Sequence, residues 1–355
     1  MTKRWYTLFT TCIVMLATVA CSNASSNDLP TQETASPTAS SSIEPTQEAT
    51  KELPITADLP GRVISTIDDL NFPLGEAVPF PQYFTGNSYL LPLTSTDEVF
   101  HLPGMTNVTF EPCARTHWHS HDGGQILMVT GGVGYHQIEG EAIHFLREGD
   151  IVKIEPGVRH WHGASPDSWF SHIAISTNPE NASVNWQEAV EDSFYNEVKA
   201  EEFPGRTDIE DQDDANEFLF AKGSPLNMET FNGTNYVAPL IQTDDIFNMP
   251  GMMNVIFEPG VINNWHNHAG GQVMIATDGI GFHQLKGQPV EVLYPGDVAF
   301  CPPNEDHWHG AAPDSWFAHI AITTNPELRG MEWLEPLTEE EYNKALEALE
   351  TSGED

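Results

Sequence analysis

Short apolar runs separated by turn residues dominate the chain between about residues 80 and 330. Three runs in the first half have the length of strands and are rich in apolar and β-branched residues: Ile126–Thr130, Ile151–Ile154 and Trp169–Ser176. The turn residues that separate them are Gly123-Gly124, Gly131-Gly132, Gly149-Asp150 and Pro156-Gly157. Many short strands with frequent turns and little helix predict an all-β sandwich or barrel.

The same pattern occurs twice. A shift of 147 residues aligns Phe84 to Glu180 with Phe231 to Glu327 without a gap, and about half of the positions are identical. The match continues more weakly to Tyr195 and Tyr342, where the residues predict a helix at the end of each copy. We therefore expect two domains, at 75–200 and 222–348, joined by an acidic connector at 201–221.

The N-terminus differs from the rest of the chain. Basic residues precede an apolar stretch that ends at Ala20, so residues 1–20 are predicted to be a signal peptide and the protein to be exported. Cleavage before Cys21 would resemble bacterial lipoprotein processing, although Thr18 departs from that pattern, and would anchor the protein to the membrane. Cleavage after Ala24 is the alternative and would leave a soluble protein. Residues 21–57 are rich in Ser, Thr and Pro and are predicted to be a disordered tether.

Composition excludes one class of partner. The 355 residues include 14 Lys and Arg against 52 Asp and Glu, a formal net charge of -38. A polyanion would be repelled by such a surface, so nucleic acid is not a partner. The acidic surface fits either solubility or the binding of divalent cations.

Four cysteines occur in the chain. Cys12 belongs to the predicted signal peptide and Cys21 is the predicted lipid site. Cys113 and Cys301 occupy unrelated positions in the two copies, so a small buried thiol is the expected role of each, with a disulfide between them as the alternative.

The histidines carry the predicted chemistry. All 15 lie between His101 and His319, and twelve of them form six pairs related by the shift of 147 residues. The pairs are His119 and His266, His121 and His268, His136 and His283, His160 and His307, His162 and His309, and His172 and His319. Alternate residues of a strand point to one side, so His119 and His121 can approach one metal ion.

The order HxHxxxQ, then Gly-Asp, then a later histidine resembles the two sequence motifs of the cupin superfamily, whose small jelly-roll barrel holds a metal ion. The sequence around these motifs, such as Gly123-Gly124-Gln125 and His160-Trp161-His162-Gly163, is similar to that of cupins labelled carboxymuconolactone-decarboxylase-like or quercetinase-like. The resemblance implies two tandem jelly-roll β-barrels, each followed by a C-terminal helix. It also implies one divalent transition metal per domain, Mn, Fe, Ni, Cu or Zn. The implied ligands are His119, His121, Gln125 and His160 in the first domain and His266, His268, Gln272 and His307 in the second.

Cupins commonly have Glu where Gln125 and Gln272 stand. A neutral amide leaves the charge of the ion uncompensated, which favours bound hydroxide or an anionic substrate, and it removes a carboxylate base. His162 and His309 follow the last ligands by two residues, so they are the candidate catalytic residues. Support of the ligands is their competing role. Hydrogen-bonded core histidines without metal are the alternative for the whole set.

The copies differ just before the first metal motif. Arg115 and His117 stand where the second copy has Ile262 and Asn264. If the strand extends backwards, Arg115 faces the first pocket and makes it the better anion site. The alternative is that the strand changes direction before Trp118.

These inferences predict an exported, metal-binding bicupin that acts as a dioxygenase-like enzyme on a small oxygenated, anionic molecule. The alternative is a lipoprotein that binds a metal or small ligand without catalysis. The sequence leaves the metal, the substrate and the formation of a homo-oligomer open.

Overall fold

The computed structural model describes residues 65–181, 183–205 and 218–352. The predicted signal peptide and tether, and most of the connector, lie outside the described residues, so the expectations for them stay predictions.

The described residues form two barrels of short strands. The first barrel contains β1 (Glu76–Ala77), β2 (Phe84–Thr85), β3 (Ser88–Thr94), β4 (Met105–Phe110), β5 (Arg115–Thr116), β6 (His119–His121), β7 (Gln125–Ile138), β8 (His144–Arg147), β9 (Ile151–Ile154), β10 (His160–Ala164), β11 (Phe170–Ser176), β12 (Val184–Trp186) and β13 (Glu201–Glu202). The second contains β14 (Ser224–Leu226), β15 (Asn235–Ile241), β16 (Met252–Phe257), β17 (His266–His268), β18 (Gln272–Gly279), β19 (Gly281–Leu285), β20 (Glu291–Leu293), β21 (Val298–Cys301), β22 (His307–Ala311), β23 (Phe317–Thr323) and β24 (Met331–Trp333). Short 3₁₀ turns lie at Ile67–Asp69, Pro81–Tyr83 and Pro179–Asn181.

Each barrel closes two sheets around its own interior. In the first barrel, one sheet has the order β1-β3-β4-β11-β7-β9. In the other sheet, β8 and β10 pair with the second half of β7, and β5 and β6 pair with β10. The second barrel repeats these layers as β14-β15-β16-β23-β18-β21 and β20-β19-β22-β17-β24. The pairing is antiparallel except between β13 and β8. The predicted all-β fold with two tandem jelly-roll barrels is therefore confirmed.

A glycine pair bends the longest strand of the first barrel. The sequence predicts a turn at Gly131-Gly132, but this prediction is wrong because β7 runs through both residues with a bulge opposite Ser171 and His172. Gly132 has a φ of 68°, and a Cβ there would lie 1.8 Å from the carbonyl oxygen of Trp169. Gly279 fills the same place in the second barrel, so both bulges need a residue without a side chain.

A shared apolar core joins the two barrels. Side chains from the outer face of one sheet in each barrel pack together, among them Met105, Met128, Ile173, Met252, Ile275 and Ile320. Full burial of each such side chain contributes about 1.5–3 kcal/mol. Two asparagines in matching positions add hydrogen bonds across the interface, since Asn178 donates to the carbonyl of Ile246 and Asn325 to that of Val99.

The helices that end the two copies are unequal. In the second copy, α2 (Glu339–Ser352) starts after a capping box in which the backbone N–H and hydroxyl of Thr338 both donate to the Glu341 carboxylate. In the first copy, α1 (Asp192–Tyr195) is a single turn, shorter than the sequence predicts. Neither described helix is long and apolar enough to cross a membrane.

Candidate metal centre and pocket

Strand pairing brings the two halves of the histidine motif together. In the first barrel, β6 and β10 are antiparallel with His119 opposite His160, and in the second His266 lies opposite His307. Residues opposite each other in antiparallel strands point to the same face. The ring centroids of both pairs are consequently 4.2 Å apart inside their barrels.

Backbone carbonyls fix which ring nitrogens face the site. Nδ1 of His119 lies 2.9 Å from the carbonyl oxygen of His117, and Nδ1 of His160 lies 3.0 Å from that of Val158. A carbonyl only accepts hydrogen bonds, so each Nδ1 carries the proton and each Nε2 presents a lone pair. His266 and His307 make the same bonds to Asn264 and Glu305.

The amide oxygen of the glutamine and Nε2 of the neighbouring histidine are both hydrogen-bond acceptors, with no hydrogen between them. Gln125 Oε1 lies 2.9 Å from Nε2 of His160, and Gln272 Oε1 lies 3.3 Å from Nε2 of His307. With the proton on Nδ1, the imidazole and the amide oxygen both point lone pairs at each other. A cation between them removes this repulsion, so the donor set fits a metal ion.

The third member of each compact cluster is the histidine predicted to be catalytic. The ligand atoms of His119, His160 and His162 lie within 4.8 Å of one another, as do those of His266, His307 and His309. His121 stands beside the first cluster, with its ring centroid 5.2 Å from that of His119. The buried atoms Nδ1 of His121 and Nε2 of His162 have no hydrogen-bond partner within the protein. Two histidine clusters that can each hold a metal ion are thus present.

Burial keeps these imidazoles neutral. Desolvation lowers the pKa of His121 to about 4 and that of His160 to about 3, and it takes the pKa of His162 well below its usual range. His266 and His268 in the second barrel shift in the same direction for the same reason. Neutral imidazole is the form that binds a metal ion.

A hydrogen bond orients His162. Its Nδ1 lies 3.1 Å from Nε2 of His172 on β11, and both rings are buried. The counterparts His309 and His319 have ring centroids 5.1 Å apart, but neither nitrogen of His319 has a hydrogen-bond partner within the protein. The relay from one histidine to the next is therefore formed in the first barrel alone among the described residues.

A pocket of about 420 Å³ opens onto the first cluster. His119, His121, Gln125 and His162 line its polar part, and Phe80, Phe84 and Trp186 form an adjoining aromatic wall. Trp186 stacks on Tyr83 at 4.8 Å and also packs against the ring of His119. Among the described residues, no Asp, Glu, Lys or Arg lines this pocket.

Arg115 does not face the pocket, which corrects the expectation of an anion site. Thr116 lines the pocket, and its neighbour Arg115 points to the opposite face of the sheet. There the guanidinium bonds to the carbonyl of Val190 and the carboxylate of Asp192 and covers the Tyr195 ring at 4.2 Å. Arg115 belongs to β5, and the half-buried His117 lies in the break between β5 and β6, so the strand of the metal motif does not continue backwards.

The interior of the second barrel contains two features that the first lacks. Asn263, at the position of Thr116, bonds to the ring of His309. A row of hydrogen bonds also runs inward from the surface, since Nδ1 of His283 is 2.6 Å from a Glu291 oxygen and Nε2 of His283 is 3.2 Å from Sγ of Cys301. Cys301 and Cys113 are both free thiols, so they form no disulfide. Sequence reasoning missed Asn263, although the mismatch with Thr116 in the aligned copies could have revealed it.

Comparison with known proteins identifies the class. The cupin domain model matches residues 106–168. An (R)-mandelonitrile lyase from Granulicella tundricola is 41% identical over 114 residues, which are 32% of this chain and 86% of that protein. The chain belongs to the cupin superfamily and is a bicupin.

Three solved structures are also similar to parts of this chain. A cupin-like protein from Thermotoga maritima is 44% identical, over 38% of this chain and 97% of its own, with a TM-score of 0.33. Salicylate 1,2-dioxygenase from Pseudoaminobacter salicylatoxidans is 12% identical, over 69% of this chain and 80% of its own, with a TM-score of 0.49. Oxalate decarboxylase from Bacillus subtilis is 13% identical, over 77% and 80%, with a TM-score of 0.46.

Proposed function

We propose that the chain is a metal-dependent lyase whose first barrel cleaves a small aromatic 2-hydroxynitrile. The observation that carries the proposal is the uncharged pocket of about 420 Å³, in which the aromatic wall of Phe80, Phe84 and Trp186 adjoins the histidine cluster. An aromatic ring fits the wall, and a hydroxyl group fits the polar side. The similarity to the mandelonitrile lyase supports this substrate class.

His119, His121, Gln125 and His160 would hold the metal ion. When bound, a divalent ion there supplies a Lewis acid that stabilises negative charge on a substrate oxygen. The residues themselves contribute orientation, because the carbonyls of His117 and Val158 fix the imidazole rings. The aromatic wall beside these residues would shield the substrate ring from water.

His162 is the proposed base. Its Nε2 is buried and without a partner within the protein, and His162 lines the pocket. When Nδ1 of His162 donates to His172, Nε2 presents a lone pair that can accept the substrate hydroxyl proton. The oxygen electrons then form the carbonyl, the C–C bond to the nitrile carbon breaks, and its electron pair leaves as cyanide. Protonation of cyanide by His162 restores the base, and no oxidant is consumed.

Dioxygenase-like chemistry on an anionic molecule is the second candidate. One observation favours it: Gln125 and Gln272 are neutral, so a bound ion would keep its full charge for an anionic substrate or for hydroxide. This reaction consumes oxygen, whereas the lyase reaction does not. Binding of a metal or ligand without catalysis is the remaining alternative.

The test uses full chains reconstituted separately with Mn, Fe, Ni, Cu or Zn and supplied with (R)-mandelonitrile. We expect benzaldehyde release without oxygen uptake. His162→Ala should reduce the rate about 100-fold or more with the metal content unchanged, because a base is lost and the ligands remain. The matched control His309→Ala should leave the rate within twofold. Oxygen uptake with an anionic substrate would favour the second candidate, and loss of metal in His162→Ala would make His162 a ligand.

We further propose that the protein is exported and anchored through a lipid on Cys21. The proposal is supported by the apolar stretch before Cys21 and by the Ser/Thr/Pro-rich residues that follow it. Cys21→Ser should move the protein from the membrane fraction to the soluble fraction without changing its metal content. A natural form that is already soluble and begins after Ala24 would contradict the anchor.

A further inference from the structure

The side chain of Asn263 makes two hydrogen bonds to one residue, His309. Its Oδ1 accepts from the backbone N–H of His309 at 3.0 Å, and its Nδ2 lies 3.1 Å from Nε2 of the same histidine. A backbone N–H only donates, so the oxygen of the amide must face it. The NH₂ group therefore faces the imidazole and donates to the lone pair of Nε2.

Thr116 bonds to the same backbone segment in the first barrel without a hydrogen bond to the ring. Its hydroxyl accepts from the backbone N–H of His162 and donates to the carbonyl of His162, both at 3.1 Å. The bond to the carbonyl uses the only hydrogen of the hydroxyl, so Thr116 has no donor left for the imidazole ring. Nε2 of His162 is left without a partner within the protein, and both Thr116 and His162 line the pocket.

We propose that Asn263 is a positioning residue that blocks His309, so that the second barrel holds a metal ion but does not turn over substrate. The inference rests on the proposed function of His162 as the base. In the second barrel the equivalent nitrogen is already occupied by an amide donor, and a substrate hydroxyl cannot transfer a proton to it. The first barrel is then the catalytic one, and the second binds a metal ion without turnover.

A second difference points the same way. His172 gives His162 a hydrogen-bond partner at 3.1 Å, but Nδ1 of His309 and both nitrogens of His319 have none within the protein. His309 is thus bonded at Nε2 and without a partner within the protein at Nδ1, the reverse of His162. A base needs the free nitrogen toward the substrate and the support behind it.

The test exchanges the two residues. In a His162→Ala background, which removes the base of the first barrel, Asn263→Thr should raise benzaldehyde release from (R)-mandelonitrile at least about tenfold. The hydroxyl of the new Thr can accept the hydrogen bond from the backbone N–H of His309, as Thr116 does for His162, so the fold should be kept. Conversely, Thr116→Asn alone should lower the rate about tenfold or more, with metal content unchanged. No gain in the first variant, when it is folded and metal-loaded, would overturn the inference.

A second readout is independent of turnover. In the zinc-loaded protein labelled with ¹⁵N, the Nε2 resonance of His309, assigned by its loss in His309→Ala, should shift in Asn263→Thr and stay in place in Thr116→Asn. An unchanged resonance in Asn263→Thr would show that no amide blocks this nitrogen. If the natural protein releases no benzaldehyde but the resonance shifts, the proposed reaction is wrong and the block by Asn263 stands.

Discussion

The two barrels have nearly the same metal scaffold but different surroundings for the histidine beside it. The pairing of His119 with His160 recurs as His266 with His307, with equal ring separations and the same bonds from Nδ1 to backbone carbonyls. Behind this scaffold, Thr116 in one barrel is replaced by Asn263 in the other. The difference teaches that strand register builds a metal site, whereas one neighbouring side chain decides which nitrogen is free for chemistry.

The largest expected difference follows from removing one ligand in each barrel. His119→Ala and His266→Ala should each lower the metal content from about two ions per chain to about one. Turnover of (R)-mandelonitrile should fall about 1,000-fold in His119→Ala, since a Lewis acid is worth several kcal/mol, and stay within twofold in His266→Ala. Metal analysis and benzaldehyde release measure both. Equal losses of turnover would mean that the barrels are equivalent.

Removal of the supporting histidine should separate the barrels by a smaller factor. His172→Ala deletes the hydrogen bond to His162 and should lower kcat about tenfold with KM unchanged, because it acts through the base. His319→Ala, at the matching position, deletes no such bond and should leave both constants within twofold. His172→Gln, which can still hydrogen-bond, should recover part of kcat. A change confined to KM would make His172 a substrate-binding residue instead.

The buried thiol distinguishes the barrels in stability. Cys301→Ala removes the donor to Nε2 of His283 and leaves a small cavity. The free energy of unfolding, measured by urea denaturation, should therefore fall by about 2 kcal/mol. The control is Cys113→Ala, since Cys113 is half-buried in a turn and bonds weakly to the Pro166 carbonyl at 3.5 Å. We expect a change below about 0.5 kcal/mol there. Equal effects would show that the row from Glu291 to Cys301 contributes nothing.

The smallest expected effect concerns Asp278, which stands where the first barrel has Gly131. Burial raises the pKa of its carboxyl to about 6, while the backbone N–H of Leu219 donates to it. A raised folded pKa gives stability that is complete below about pH 4 and is lost as the pH rises through 6. Because the side chain is partly exposed, Asp278→Asn should raise the free energy of unfolding at pH 7 by about 1 kcal/mol. The gain should vanish at pH 4, and a gain that is equal at both pH values would contradict this origin.

Much of the fold was predictable because it depends on local rules that the sequence repeats. The apolar run at Ile151–Ile154 is a strand with those bounds, and the gapless shift of 147 residues appears as two barrels with matching strand order. The glycine pair at 131 and 132 misled the prediction, since a bulge and a turn need the same freedom of φ. Beside the bulge, the backbone N–H of Val133 donates to the carbonyl of Trp169, a residue far away in the sequence.

By itself, the sequence determined which residue types meet: the alternation in His119-Ser120-His121 and the recurrence of six histidine pairs define two metal motifs. The tertiary structure decided what each nitrogen and each charge faces. Arg115 turns away from the pocket to bond Asp192, and Asn263 reaches the ring of His309. The physical reason is that hydrogen bonds act over about 3 Å, so their partners depend on strand pairings between residues far apart in the chain.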